Sequence, residues 1–173
     1  MKAKILPALL ICLVVAMTCG SSVAQTTTQP SDAQKAFDNM KNLAGSWQGT
    51  IMGISINVAI RVASSGTAIL HEATTGGGRS PDHEITMFYV EGERLLAMHY
   101  CDGGNRARFD GKMSADGKTS EFNLLDVAGS TKGGLVKHMA FTVVDENKHL
   151  VEFTFIKPDG KPIELHGVFE RTK

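Results

Sequence analysis

The sequence predicts an all-β chain, an antiparallel up-and-down barrel of about ten strands preceded by one helix, and three observations carry that expectation. From Trp47 onward the apolar residues recur with period 2, most plainly where Ile54, Ile56, Val58, Ile60 and Val62 alternate with Ser55, Asn57, Ala59 and Arg61. That is the alternation of a strand with one buried face. Turn chemistry then interrupts the chain at short, even intervals, as at Ser64-Ser65-Gly66, Glu91-Gly92-Glu93, Asp102-Gly103-Gly104-Asn105 and Pro158-Asp159-Gly160. Ahead of Trp47 the period is nearer 3.6, so a single helix hands over to strands there. Short connections favour antiparallel neighbours, and closing the sheet on itself removes its exposed edges.

Taken in order, the chain begins with Lys2 and Lys4, an apolar run from Ile5 to Met17, and Ser22-Val23-Ala24 before Gln25. A basic start, a short apolar segment and a small-residue cleavage site read as a secretory signal peptide over residues 1–24, and so as an exported protein, periplasmic or extracellular. The run is too short for a permanent membrane anchor, which needs roughly 20 apolar residues. Residues 25–30, rich in threonine and ending in proline, read as a disordered linker. Residues 31–173 form one domain. Ser31 offers a helix cap with Gln34 three residues on, and Ala33, Phe37, Met40 and Ala44 recur at helical spacing, with Gly45 as the stop. Strands are expected at 47–53, 54–63, 67–74, 83–91, 94–101, 105–113, 119–127, 134–144, 149–157 and 162–171.

Charge narrows the function classes. The 173 residues carry 18 Lys+Arg and 18 Asp+Glu. Loss of the leader removes two lysines and no acid, and the near-neutral remainder has no basic run of the kind that holds a phosphate backbone, which argues against nucleic acid as a partner. Cleavage leaves a 149-residue chain, enough for one real core. Cys12 and Cys19 leave with the leader, so Cys101 has no partner for an intramolecular disulfide.

Leu43-Ala44-Gly45-Ser46-Trp47 holds the only tryptophan in a Gly-x-Trp at the head of the strands. This resembles the calycin superfamily of lipocalins, fatty-acid-binding proteins and nitrobindins. The resemblance implies that Trp47 plugs one end of the barrel and that an arginine on the last strand, here Arg171, stacks on its ring and ties the chain ends together. The other reading leaves Trp47 an ordinary core aromatic and Arg171 a solvated terminal charge.

The segment 97–109 carries more polar chemistry than a hairpin needs. His99-Tyr100-Cys101, Gly104-Asn105 and Arg108 are similar to a segment of exported bacterial lipocalin-like proteins of unknown function. The family implies fold and secretion and no activity. Period 2 puts His99 and Cys101 on one face with Leu95 and Ala97, and Arg106 and Arg108 on one face of the next strand. His99, Tyr100, Arg106 and Arg108 are the candidate contacts to a small apolar or amphipathic molecule in the interior. Cationic residues facing the lumen would require an anionic partner such as a fatty-acid carboxylate or Glu84. Against this stand plainer roles: a hydrogen-bonded core histidine, a small buried cysteine, and arginines on a solvated edge. Met87, Met98, Met113 and Met139 either line a cavity or fill core gaps.

Catalytic templates are not matched. His71-Glu72 and His83-Glu84 begin a His-Glu-x-x-His, but Thr75 and Met87 stand where the second histidine belongs. Gly76-Gly77-Gly78 reads as a flexible loop. For His83, His99 and His138, spacing neither supports nor excludes convergence on a metal, and no metal ligand is assigned. One cofactor alternative remains. Nitrobindins are ten-stranded calycins that hold haem through a histidine on the last strand, and His166 lies at a similar place. The expectation is therefore a small-molecule-binding barrel without cofactor and without catalytic residues. The alternatives are a haem protein using His166 and a filled barrel that docks an envelope partner. Oligomeric state is not specified by the sequence.

Overall fold

The Ser31 side chain accepts a hydrogen bond from the Gln34 backbone N–H at 3.1 Å and starts helix α1, Asp32–Met40, in the computed structural model. The structure describes residues 29–75 and 83–172. The expected leader, most of the linker and the glycine-rich loop near 76–79 lie outside the described residues. Ala33, Ala36, Phe37 and Met40 bury one face of α1, as the helical spacing requires. The helix stops at Met40 and not at Gly45, because residues Lys41–Leu43 tighten into one 3-10 turn. Gly45 instead opens the first strand at φ 143°, where a Cβ would run into the Arg171 guanidinium.

Ten antiparallel strands follow: β1 (Gly45–Ile51), β2 (Ile54–Ala63), β3 (Ala68–Thr75), β4 (His83–Glu91), β5 (Arg94–Tyr100), β6 (Asn105–Met113), β7 (Thr119–Gly129), β8 (Leu135–Asp145), β9 (Lys148–Ile156) and β10 (Pro162–Arg171). Each pairs with its sequence neighbours, and β1 pairs with β10 from Trp47↔Arg171 to Ile51↔Gly167, so the sheet closes into a barrel with no free edge. The expected strand count and order are those observed, with ends differing by one or two residues. The closed ten-stranded barrel fits a calycin-like fold.

The two ends differ. At one, α1 lies against the ends of β4, β5 and β6, with Asn39 Nδ2 donating to Gly117 O at 2.7 Å in the β6–β7 turn. Trp47 sits there, 1% exposed, its Nε1 donating to Leu43 O at 2.8 Å. Arg171 stacks its guanidinium 4.1 Å from the Trp47 ring centroid and donates to Ala44 O (2.7 Å), Asn42 O (3.2 Å) and Glu146 O (2.7 Å). The cation over the ring and three carbonyls bind helix, first strand, last strand and the β8–β9 turn at one point. Toward this end the interior is filled by phenylalanines: Phe88, Phe109, Phe122, Phe141 and Phe169 are each at most 2% exposed, and Phe88 meets Phe141 edge-on at 5.4 Å. Gly111 makes room for Phe122, and Gly49 for Phe169.

Candidate functional site

Toward the other end the side chains no longer fill the barrel, and a hollow of about 420 Å³ remains. Its walls are mostly apolar: Val58, Val136, Phe153, Phe155 and Leu165 from four strands, with Ile51, exposed Met52 and Lys157 near the mouth. That volume lies within the ~300–1,000 Å³ range of small-molecule pockets.

One wall is polar. Antiparallel pairing sets His71 opposite Thr86 and Thr86 opposite His99, so three inward residues form a row across β3, β4 and β5. All three are buried and line the hollow, with Glu84 beside them at the start of β4. Thr86 Oγ1 lies 2.9 Å from His99 Nδ1, whereas His99 Nε2 is buried without a hydrogen-bond partner among the described residues. Burial holds both imidazoles neutral, pulling His71 down to about 3 and His99 to about 4. For His71 the neighbouring His149 and His99 add to that, and for His99 the Asp102 carboxylate offsets part of it.

Cys101 follows β5 on the same face as His99. Its Sγ is 3.5 Å from Glu84 Oε1 and 3.5 Å from Asp102 Oδ1. Burial, with smaller contributions from those two carboxylates, pushes the thiol up to about 12 against the pull of the Gly103 backbone N–H. It is protonated at neutral pH and is no nucleophile by itself. Glu84, His99 and Cys101 each present one metal-ligating atom, all within 4.8 Å of one another.

Of the ligand contacts expected from sequence, only His99 faces the hollow. Tyr100 is 45% exposed and pairs across the ladder with exposed Arg106, on the outer surface. Arg108 also points outward and is bound to the Asp126 carboxylate, its Nε at 3.1 Å. The reason lies in parity. Ala107 and Phe109, both 0% exposed, take the inward positions of β6 and leave Arg106 and Arg108 outside. The anionic partner is thus Asp126 across the β6–β7 ladder, and no lumenal carboxylate is required. His83 and His138 are outward too, next to Glu72 and Asn123, so they do not converge with His99. Of the four methionines singled out, Met139 is core at 0% exposure and none lines the hollow, whereas Met52, outside that set, does.

The residues around His166 do not fit a haem. The side chain is 64% exposed on the outer face of β10 and pairs with Glu152 at 3.2 Å, while its neighbours Leu165 and Phe169 take the inward places. The recess beside it is a shallow surface of β1, β9 and β10, with no apolar slot for a macrocycle.

The sequence reading assigns no site role to His71, Thr86 or Asn105. The His-Glu pairs drew attention as failed metal motifs, yet the parity of His71 with Ile69, and of Thr86 with Phe88, was the usable signal. Asn105, 2% exposed, donates from Nδ2 to Gly134 O at 3.1 Å and fastens the β5–β6 turn to the β7–β8 connection.

No protein-family model matches the chain, and no curated protein matches it in sequence. Among solved structures the chain is similar to the crystal structure of Rv2717c from M. tuberculosis, with a TM-score of 0.63 at 14% identity, over 80% of this chain and 98% of that one. A likeness at that identity shows the barrel fold alone. A weaker likeness, TM-score 0.37 at 13% identity over 77% of this chain, is to a protein of unknown function from the DUF3598 family of Nostoc punctiforme PCC 73102, of which it covers 48%.

Proposed function

We propose that the barrel binds one small, mainly apolar molecule in its open end, as an exported lipocalin-like binding protein and not an enzyme. The observation that carries this reading is the apolar hollow of about 420 Å³, held open while the rest of the interior is packed with phenylalanine. A barrel serving only as a docking module would gain stability by filling that space, since apolar cavities cost free energy in proportion to their volume. The polar end of the ligand belongs against the His71–Thr86–His99 wall. Its neutral imidazoles and hydroxyl suit an alcohol or amide better than a free acid, because the lining cation, Lys157, stands at the rim. Export is supported by the basic, apolar and small-residue succession of residues 2–24.

Ala73, on β3, lines the hollow, and Ala73→Phe fills it without touching the closed end. The expected result is binding of an apolar fluorescent probe at one equivalent to the natural protein and at least tenfold weaker binding to the folded variant. Unchanged probe affinity in Ala73→Phe rejects the interior site. Native mass spectrometry of protein from the exporting cell reads both remaining expectations, a chain starting at Gln25 and an added mass of roughly a few hundred daltons.

A further inference from the structure

Beyond the wall that would face an organic ligand, the polar corner of the hollow brings Glu84 and Cys101 to His99. β4 and β5 run in a register with Ile85 opposite Tyr100 and Thr86 opposite His99. Continued by one residue, that register sets Glu84 opposite Cys101, and His99 lies two residues before Cys101 on the same face. Three inward side chains of three different donor types therefore meet at the mouth.

We propose that Glu84, His99 and Cys101 form a three-ligand site for a zinc-class divalent ion, with the fourth coordination position turned toward the hollow. Their donor atoms already lie within 4.8 Å of one another, and Cys101 Sγ and Glu84 Oε1 are 3.5 Å apart. Around a tetrahedral zinc, donors stand about 3.3–3.6 Å apart, so the remaining pairs draw in by at most about 1.5 Å. His99 supplies the independent sign of a ligand. It is 4% exposed, and its Nε2 has no hydrogen-bond partner among the described residues, a costly condition for a buried polar atom. Its Nδ1 is held by Thr86 Oγ1 at 2.9 Å, the kind of outer contact that orients a ligating imidazole through its other nitrogen.

The donor set selects the ion. One thiol, one imidazole and one carboxylate suit a borderline-soft ion such as Zn²⁺, whereas Ca²⁺ and Mg²⁺ need several oxygens. On binding, the Cys101 S–H bond is lost, a sulfur–metal bond forms and one proton leaves to solvent; no electron is transferred. A second hollow of about 170 Å³, lined by Ile56, Ala73, Glu84 and Asp102, borders the corner at Glu84. The site does not depend on whether the apolar hollow holds an organic molecule.

Metal-stripped protein is titrated with Co²⁺ and then with Zn²⁺. The expected result is one equivalent of cobalt with a thiolate-to-cobalt charge-transfer band, displaced by zinc. Cys101→Ser abolishes the band, Glu84→Gln lowers zinc affinity at least tenfold, and Thr86→Val, which keeps all three ligands, lowers it by about 10–100-fold. Circular dichroism confirms that each variant is folded. Absence of the band in folded natural protein overturns the proposal. So does a zinc equivalent that survives in both Cys101→Ser and Glu84→Gln.

Discussion

Both ring nitrogens of His149 are buried without a hydrogen-bond partner among the described residues, although the ring is well packed, with the Trp47 ring edge-on at 4.4 Å and Phe169 stacked on it at 5.3 Å. The environment is aromatic, and it asks for a ring and not for its nitrogens. His149→Phe is expected to raise stability at pH 7 by about 1–3 kcal/mol, the cost of leaving a buried polar group unsatisfied. The midpoint of urea unfolding reads this, and a fall in that midpoint would mean that the nitrogens have partners. His99 is different, because its unpartnered nitrogen belongs to a polar wall beside a hollow and two other donor groups. The sequence shows six histidines and does not tell these situations apart. What separates them is the parity of the strands on either side, His149 on the aromatic face of β9 and His99 next to Thr86.

Among the elements, the pairing of β1 with β10 is held by the most concentrated set of contacts. Arg171 contributes a cation over Trp47 and three donors aimed at three carbonyls, a fan that lysine cannot reproduce. Arg171→Lys is expected to cost about 2–3 kcal/mol, at roughly 1 kcal/mol for each lost hydrogen bond and somewhat less for the weaker stacking. Chemical denaturation checks this, and a loss below the error of the measurement would reduce the cluster to surface contacts. This contact was legible only through the resemblance to calycins, which implies an arginine of the last strand on the Gly-x-Trp ring; the residues alone left Arg171 equally a solvated terminal charge. The polar hairpin was legible only in part. Period 2 separates the two faces of β5 and β6 but does not say which is inside, and the arginines drew attention away from Ala107 and Phe109. The end of α1 was misread for a local reason: a 3-10 turn satisfies the last carbonyls before any glycine is needed.

At the scale of the molecule the three buried histidines set the acid limit. In the fold their imidazoles are held neutral, His71 down to about 3, His99 and His149 to about 4, chiefly by burial. In the unfolded chain they take up protons near pH 6.5. The unfolded state therefore binds more protons in between, so stability is fully present above about pH 6.5 and falls as pH drops toward 4, by up to ~3 kcal/mol per histidine. That sum rivals the whole stability of a domain this size. Acid unfolding is expected with a midpoint between about pH 4 and 6, and it moves to lower pH in His149→Phe; a native fold unaffected at pH 4 would contradict the assignment.

The closure of β1 on β10 also sets an order of events during synthesis. Trp47 and Arg171 are neighbours in the barrel, and the partner of the first strand is the last of the ten strands to be synthesised. Until it arrives, every partly made chain carries two unpaired strand edges, β1 and whichever strand was last added, and these are the surfaces on which one copy can template another. Joining sites so distant along the chain also makes the final step slow. The device that removes both edges from the finished molecule thus leaves its nascent form the most dependent on escort.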